Sequence, residues 1–407
     1  MKIRKSAVLA AIIALIIASS VTGCATVRRP VPLGLETEAL VGNMDDVRMM
    51  QGQHNTKLQE SLLSSVLQER AGEYPIGTDG VKIYSVLAIS GGGANGAYGA
   101  GLMKGWSEEG SRPVFKVVTG VSTGAISAPY IFLGKEYDCE LEIVYTTIST
   151  KDVMSSRNPF AILFGDSMAS NKPLDNVIGK LADCDLLAKI AEEHRRGRRL
   201  YVGTCNIDAQ KFVVWDMGAI AAKGDCDLFR RVIVASAAIP VIFPPSIFHV
   251  DAEGQCFDEF HTDGGTMTQV FAVGKLLEGM QGAAKHLGIY PSKIKASLYI
   301  IRNGYMSAKY SPVKDNIASL AARSFDTIIN SQGIGDAYRL YTFAKQNGTD
   351  YNLAFIPPDF NDESKEMFDP CAMRKLFQRG YDDAVKGYKW HKAPPGAEKP
   401  PAHDAGK

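Results

Sequence analysis

One short run narrows the folds open to this chain. The apolar stretch from Phe115 to Thr119 reads as a buried strand and leads directly into Gly120-Val121-Ser122-Thr123-Gly124, with a helical pattern from about Ala125. A serine flanked in this way sits on a tight strand-to-helix turn, because the glycines leave room for neighbouring backbone. Its hydroxyl then stands at the carboxyl edge of a sheet, beside a helix N-terminus that favours negative charge. The rest of the chain repeats the alternation. Lys82 to Ser90, Arg199 to Thr204 and Ala296 to Ile301 read as strands. Ala97 to Glu109, Leu181 to Arg195, Leu228 to Ala238, Ile317 to Lys345 and Ala372 to Gly387 read as helices. Strands alternating with helices predict an α/β fold with a mostly parallel sheet and helices on both faces.

Composition sets outer limits. With 407 residues, 45% of them hydrophobic, the chain can bury the core of one large domain or two small ones. A formal net charge of +1 gives no basic excess for nucleic acid, so no nucleic-acid partner is expected.

The N-terminus reads as a leader outside the fold. Lys2, Arg4 and Lys5 precede an apolar run from Ala7 to Ala18, shorter than a comfortable bilayer span and suited to a signal peptide. The run ends in Val21-Thr22-Gly23-Cys24, which resembles a bacterial lipobox. That resemblance implies cleavage after residue 23, a lipid on Cys24 and a cell-envelope location. Ala25 is not the Asp that resembles an inner-membrane retention signal, which favours the outer membrane. Residues 24–78 are expected to form a spacer and helical arm, with Leu58, Leu62, Leu63, Val66 and Leu67 at helical spacing. Residues 79–390 should form the main domain, and 391–407 a Pro-rich disordered tail. The other cysteines (Cys139, Cys184, Cys205, Cys226, Cys256 and Cys371) form no CxxC or zinc-like cluster. In an exported protein they could pair, in an order the sequence leaves open.

Upstream of Ser122 lies Ser90-Gly91-Gly92-Gly93-Ala94-Asn95-Gly96. Successive glycines after a strand bare their N–H groups to a close ligand, which suits an oxyanion hole. Gly91, Gly93 and Gly96 also satisfy GxGxxG, but a dinucleotide site needs a carboxylate at the end of the next strand. That strand runs into Thr119-Gly120-Val121-Ser122, which argues against nucleotide binding. Downstream, His261-Thr262-Asp263-Gly264-Gly265 places Asp263 at a strand end before two glycines. A serine hydroxyl needs a base to take its proton, and Asp263 can serve. On its own, Asp-Gly-Gly is also an ordinary turn.

Taken in order, these three motifs resemble the bacterial patatin-like phospholipases, lipoprotein members included. The resemblance covers residues 82 to 265, with Ala235-Ser236-Ala237-Ala238-Ile239-Pro240, Phe243-Pro244-Pro245 and Thr204-Cys205-Asn206-Ile207-Asp208 adding to it. It implies a three-layer fold with a central, mostly parallel sheet. It also implies hydrolysis of carboxylic esters of phospholipids or related lipids through an acyl-enzyme, with Ser122 as nucleophile and Asp263 as base. The oxyanion hole would lie around Gly91, Gly92, Gly93 and Ala94. No metal or cofactor is implied. Asn95 stands where the family usually carries Arg or Lys, so the loop lacks a cation at that place.

Other readings lead elsewhere. Gly165-Asp166-Ser167 resembles a motif of another esterase family but has no clear partner residue. A Ser-His-Asp esterase would draw on His261, His286 or His391. A catalytically weak, lipid-binding lipoprotein would keep the fold without the rate.

Overall fold

The computed structural model describes residues 28–52, 56–157, 166–272, 294–361 and 364–397. The leader, Cys24, Gly165, His286 and residues 398–407 lie outside them. Two compact units are present: Ile247–Glu259 with residues 28–43, and a larger one from Met44 to Ser246 and from Phe260 onward.

In chain order the larger unit carries strand β1 (Arg48–Met50), helix α1 (Thr56–Leu67), β2 (Lys82–Ile89), α2 (Gly96–Glu109), β3 (Phe115–Val121), α3 (Thr123–Leu133), α4 (Asp138–Thr147), α5 (Lys172–Leu181) and α6 (Cys184–Arg195). Strands β4 (Arg199–Asn206) and β5 (Lys211–Asp216) and helices α7 (Met217–Ala222) and α8 (Cys226–Ser236) follow. Next come the hairpin strands β6 (Ser246–Ala252) and β7 (Gln255–Asp263), then β8 (Ile294–Arg302), α9 (Ile317–Gln346), β9 (Asp350–Phe355) and α10 (Pro370–Val385). The main sheet runs in the order β1-β5-β4-β3-β2-β8-β9. Its strands from β4 to β9 are parallel to one another, while β5 and β1 add an antiparallel edge. The last residues of β7 pair antiparallel with β4, setting Asp263 opposite Thr204. The mostly parallel sheet expected from the alternation is present.

Parallel strands are buried on both faces, and alternate residues separate two cores. Tyr84, Val86 and Ala88 of β2, with Val117 and Val121 of β3, pack toward Leu62 and Val66 of α1 and Ala337, Leu340 and Ala344 of α9. On the other face Trp106 of α2 meets Phe115 of β3 and Tyr299 of β8. Helix α10 crosses α2 at close range: a Cβ on Gly101 would lie 1.9 Å from the Phe377 carbonyl oxygen, and one on Gly380 2.2 Å from that of Tyr98. The result is three layers.

Three sequence expectations change. The expected spacer and helical arm also contains a strand, β1, which pairs with the edge strand β5 before α1 begins. The helix expected over Leu181 to Arg195 starts later, at Cys184, and Leu181 ends α5 instead, because the Asp183 carboxylate accepts from Leu186 N–H at 2.8 Å and starts α6 as its N-cap. Residues 391–397, expected to be disordered, are packed: His391 exchanges backbone hydrogen bonds with Leu353, and Ala393 is buried. The arm itself is held from below. The buried Lys116 ammonium donates to the Ser65 carbonyl at 2.8 Å and pairs with Glu69 at 2.7 Å.

The smaller unit contains most of the β6–β7 hairpin. Its turn uses Glu253 and Gly254, both at positive φ, the conformation of tight two-residue hairpins. Backbone bridges join Pro30 to Asp258 and Leu40 to Asp251. Among the described residues no helix is long and apolar enough to cross a membrane.

Candidate active site

Ser122 follows the last residue of β3 and is the N-cap of α3, with φ 55° and ψ −124°. This is a strained backbone for a residue with a side chain, and such strain collects at functional sites. Neighbouring groups hold it in place. Its N–H donates to Ser236 Oγ at 3.0 Å, and that hydroxyl donates to the Gly203 carbonyl at 2.7 Å. The turn also needs its glycines: a Cβ on Gly124 would come within 2.4 Å of the Ile89 carbonyl oxygen, and one on Gly120 within 2.3 Å of that of Gly124.

Asp263 ends β7 and is 5% exposed; Ser122 is 7% exposed. Burial pushes the Asp263 carboxyl up from its ordinary 3.8 to about 7, opposed by the Ser122 hydroxyl and the Gly265 N–H, both of which favour the ionised form. Gly265 N–H donates to Asp263 Oδ1 at 2.7 Å. Both glycines of Asp-Gly-Gly allow close approach: a Cβ on Gly264 would lie 2.4 Å from the Gly203 carbonyl, and one on Gly265 2.4 Å from Gln269 Nε2.

The glycine loop completes the wall. Gly92 and Gly93 have φ of 155° and 55°, in the region that favours glycine. The short 3-10 turn Gly93–Asn95 starts here, so its first N–H groups have no acceptor within the turn. Gly92, Gly93, Ala94, Ser122 and Asp263 all line one open cavity of about 660 Å³. Gly91 has a different part from the one its motif suggested. Its N–H donates to the Gln269 carbonyl at 2.9 Å and is therefore not free to bind an oxyanion. Its place against Ser122 is steric, since a Cβ there would meet Ser122 Cβ at 3.1 Å.

Four further residues outside the three motifs shape this site. Gln269 binds the Gly91 N–H through its carbonyl and the Gly265 carbonyl through its Nε2, tying the glycine loop to the Asp263 loop. Asn303 donates its backbone N–H to Ser90 Oγ at 2.8 Å and its Nδ2 to the Ser90 carbonyl at 3.0 Å. Arg302 lies beside it, 3% exposed. Ser236 sits in the Ala-Ser-Ala-Ala segment. The signal for Arg302 and Asn303 was their place at the carboxyl end of a parallel strand, where ligands of open α/β sheets bind. Gln269 has no comparable signal.

A second pocket leads away from Ser122 and is narrow and apolar, lined by Ile126, Val144, Ile178, Leu181, Phe243 and Met373. No histidine among the described residues lines either space. His261 is buried with Nδ1 2.9 Å from Thr204 Oγ1, and the His391 ring packs on Phe355. Ser167 donates to Asp166 Oδ1 at 3.0 Å, and Asp166 also accepts from Arg157. Neither Asp166 nor Ser167 borders the cavity. Cys184 and Cys226, at the first turns of α6 and α8, form a disulfide with Cα atoms 5.9 Å apart. Cys139, Cys205, Cys256 and Cys371 are free thiols. No group of three potential metal-ligating side chains occurs among the described residues.

The comparisons with known proteins bear on this arrangement. No curated protein gives a significant match. Among solved structures, the crystal structure of VipD from Legionella pneumophila is similar at 12% sequence identity and a TM-score of 0.36, covering 77% of this chain and 69% of that one. The family model described as patatin-like phospholipase matches residues 87–272, the span that runs from the end of β2 through the glycine loop, Ser122 and Asp263. Over these residues the chain is similar to the patatin-like phospholipase family.

Proposed function

We propose that the protein is a serine hydrolase of lipid carboxylic esters, working through Ser122 and Asp263 alone. The observation that carries this reading is the pairing of a strained, buried Ser122 with a buried Asp263 carboxyl on one cavity that no described histidine lines. Asp263 takes the proton of Ser122 Oγ as the oxygen attacks the ester carbonyl. The carbonyl oxygen becomes an oxyanion, met by N–H groups of Gly92, Gly93 and Ala94. Collapse breaks the ester C–O bond, and the leaving alkoxide takes the proton from Asp263. Water then gives Asp263 a proton and attacks the acyl-enzyme, and Ser122 recovers a proton as the carboxylic acid leaves. The apolar pocket beside Ser122 suits the acyl chain, and the wider cavity suits the rest of the lipid.

In this reading the protein is exported and held in a cell envelope by a lipid on Cys24. The apolar run before Cys24 supports it, as does the Cys184–Cys226 disulfide, since disulfides persist in oxidising compartments. The deciding experiment is treatment of the purified protein with a fluorophosphonate probe, followed by peptide mapping. A label on Ser122, lost in Ser122→Ala along with turnover of a nitrophenyl ester, supports the reading. Esterase activity that survives in Ser122→Ala rules it out.

A further inference from the structure

Arg302 closes β8 with its side chain turned under the glycine loop. Its Nη1 donates to the Gly91 carbonyl at 3.3 Å and to Ser90 Oγ at 3.4 Å, and its Nη2 to Asn330 Oδ1 at 3.4 Å. The space it fills exists because two neighbours are glycines. A Cβ on Gly304 would lie 2.8 Å from Arg302 Cζ, and one on Gly333 of α9 2.6 Å from it. Yet this is an expensive residue to bury. The hydrogen-bond partners of its Nη atoms are all uncharged, and its Nε is buried without a partner. The carboxylate that most offsets its burial, Asp336, is occupied by Arg339 and by the N–H groups of Gln269 and Val270. A buried guanidinium left without a carboxylate is a net cost to the fold. Such a charge is retained where something else in the site uses it.

The peptide group that Arg302 touches shows what that use is. The Gly91 carbonyl and the Gly92 N–H belong to one planar amide, and a cation at the oxygen draws density toward it and makes the N–H a stronger donor. Gly92 is one of the residues that line the cavity. The loop has no cation of its own, because Asn95, which also lines the cavity, carries none. We infer that Arg302 is the positioning residue of the oxyanion loop, holding the Gly91–Gly92 peptide in place and lending it positive charge as the oxyanion forms. This inference rests on the hydrolase reading given above.

The test compares Arg302→Lys, Arg302→Met and Asn330→Asp with the wild type, reading nitrophenyl ester turnover, fluorophosphonate labelling and the denaturation midpoint. Arg302→Met should lower kcat by about 10²-fold, the scale of one lost oxyanion donor, and leave KM within about threefold. Its midpoint should not fall, because the unpaired buried charge is gone. Arg302→Lys keeps the charge and should hold kcat within about tenfold of wild type. Asn330→Asp sets a carboxylate against the guanidinium and should lower kcat about tenfold while raising the midpoint, and it decides the matter if Arg302→Met does not fold. Adding Asn95→Arg to Arg302→Met should restore at least about tenfold in kcat by returning a cation to the loop. Wild-type kcat in Arg302→Met or in Asn330→Asp overturns the inference alone. A wild type that neither turns over ester nor takes the label overturns the hydrolase reading and this inference with it.

Discussion

The backbone N–H of Ser122 is held by the side chain of Ser236, 3.0 Å away, and the same hydroxyl donates onward to the Gly203 carbonyl at 2.7 Å. One hydroxyl therefore links three elements at the carboxyl edge of the sheet: the β3–α3 turn, β4 and the end of α8. It also occupies the Ser122 N–H, so that group is not free to meet an oxyanion. In Ser236→Ala two buried backbone groups lose their partner, so the protein should lose about 1–3 kcal/mol of stability. Thermal melting checks the loss. Turnover should fall with it, because the strained Ser122 conformation is no longer braced.

Asp263→Asn keeps the shape of the side chain and removes its basicity. Its residual ester turnover should come within about tenfold of that of Ser122→Ala, and the double variant should add little, as for residues that act as one unit. Replacing His261 or His391 by Gln should change turnover by less than about tenfold. A histidine variant as inactive as Ser122→Ala, beside an active Asp263→Asn, would replace the dyad with a triad.

The raised Asp263 carboxyl predicts two opposite pH effects. As a base it must be ionised, so kcat/KM should fall about tenfold per pH unit below about 7 and level off above it. For stability the sign is reversed. The folded form holds a proton that the unfolded chain releases near 3.8, so this contribution is full below that value and is lost as pH rises through about 7. At 1.36 kcal/mol per pH unit, the loss is bounded at about 4 kcal/mol. Asp263→Asn should therefore be more stable than wild type at pH 8 and nearly equal to it at pH 4, as urea unfolding at the two pH values would reveal.

Neighbouring glycines in the loop should respond differently to the same change. A Cβ on Gly92 would lie 2.1 Å from the Asn303 carbonyl oxygen, whereas none of the surrounding atoms lies within 4 Å of one on Gly93. Gly92→Ala should lower the melting temperature sharply, through backbone that cannot give way. Gly93→Ala should fold, with about 1–2 kcal/mol of strain from its left-handed φ, and lose turnover as the N–H directions shift. Equal stability of the two variants would contradict this account of the loop.

The anchoring proposal is checked by phase partitioning. Wild type should enter the detergent phase with a modified N-terminus, and Cys24→Ser should leave it, because two acyl signals suffice for stable anchoring. Mature wild type in the aqueous phase with an unmodified Cys24 would refute it.

What could be read from the chain alone was local. The order of strands and helices, the mostly parallel sheet and the turn that carries Ser122 follow from hydrophobic period and glycine placement, which act over a few residues. Asp-Gly-Gly alone reads equally as an ordinary turn, and it was the resemblance that singled out Asp263. Where local signals compete with long-range pairing they mislead: β1 is a strand because β5 offers it an edge, and residues 391–397 are ordered because Leu353 pairs with His391. Tertiary structure alone decided which groups meet. Gly91 was indistinguishable from Gly92 in the motif, yet the Gln269 carbonyl claims its N–H. Which two cysteines pair depended on α6 and α8 bringing their first turns together. Arg302 lies far along the chain from Gly91, and only the adjacency of β8 and β2 brings its charge to the loop. Sequence spacing encodes a turn or a helix face, whereas contacts between distant strand ends depend on a sheet order that no local pattern records.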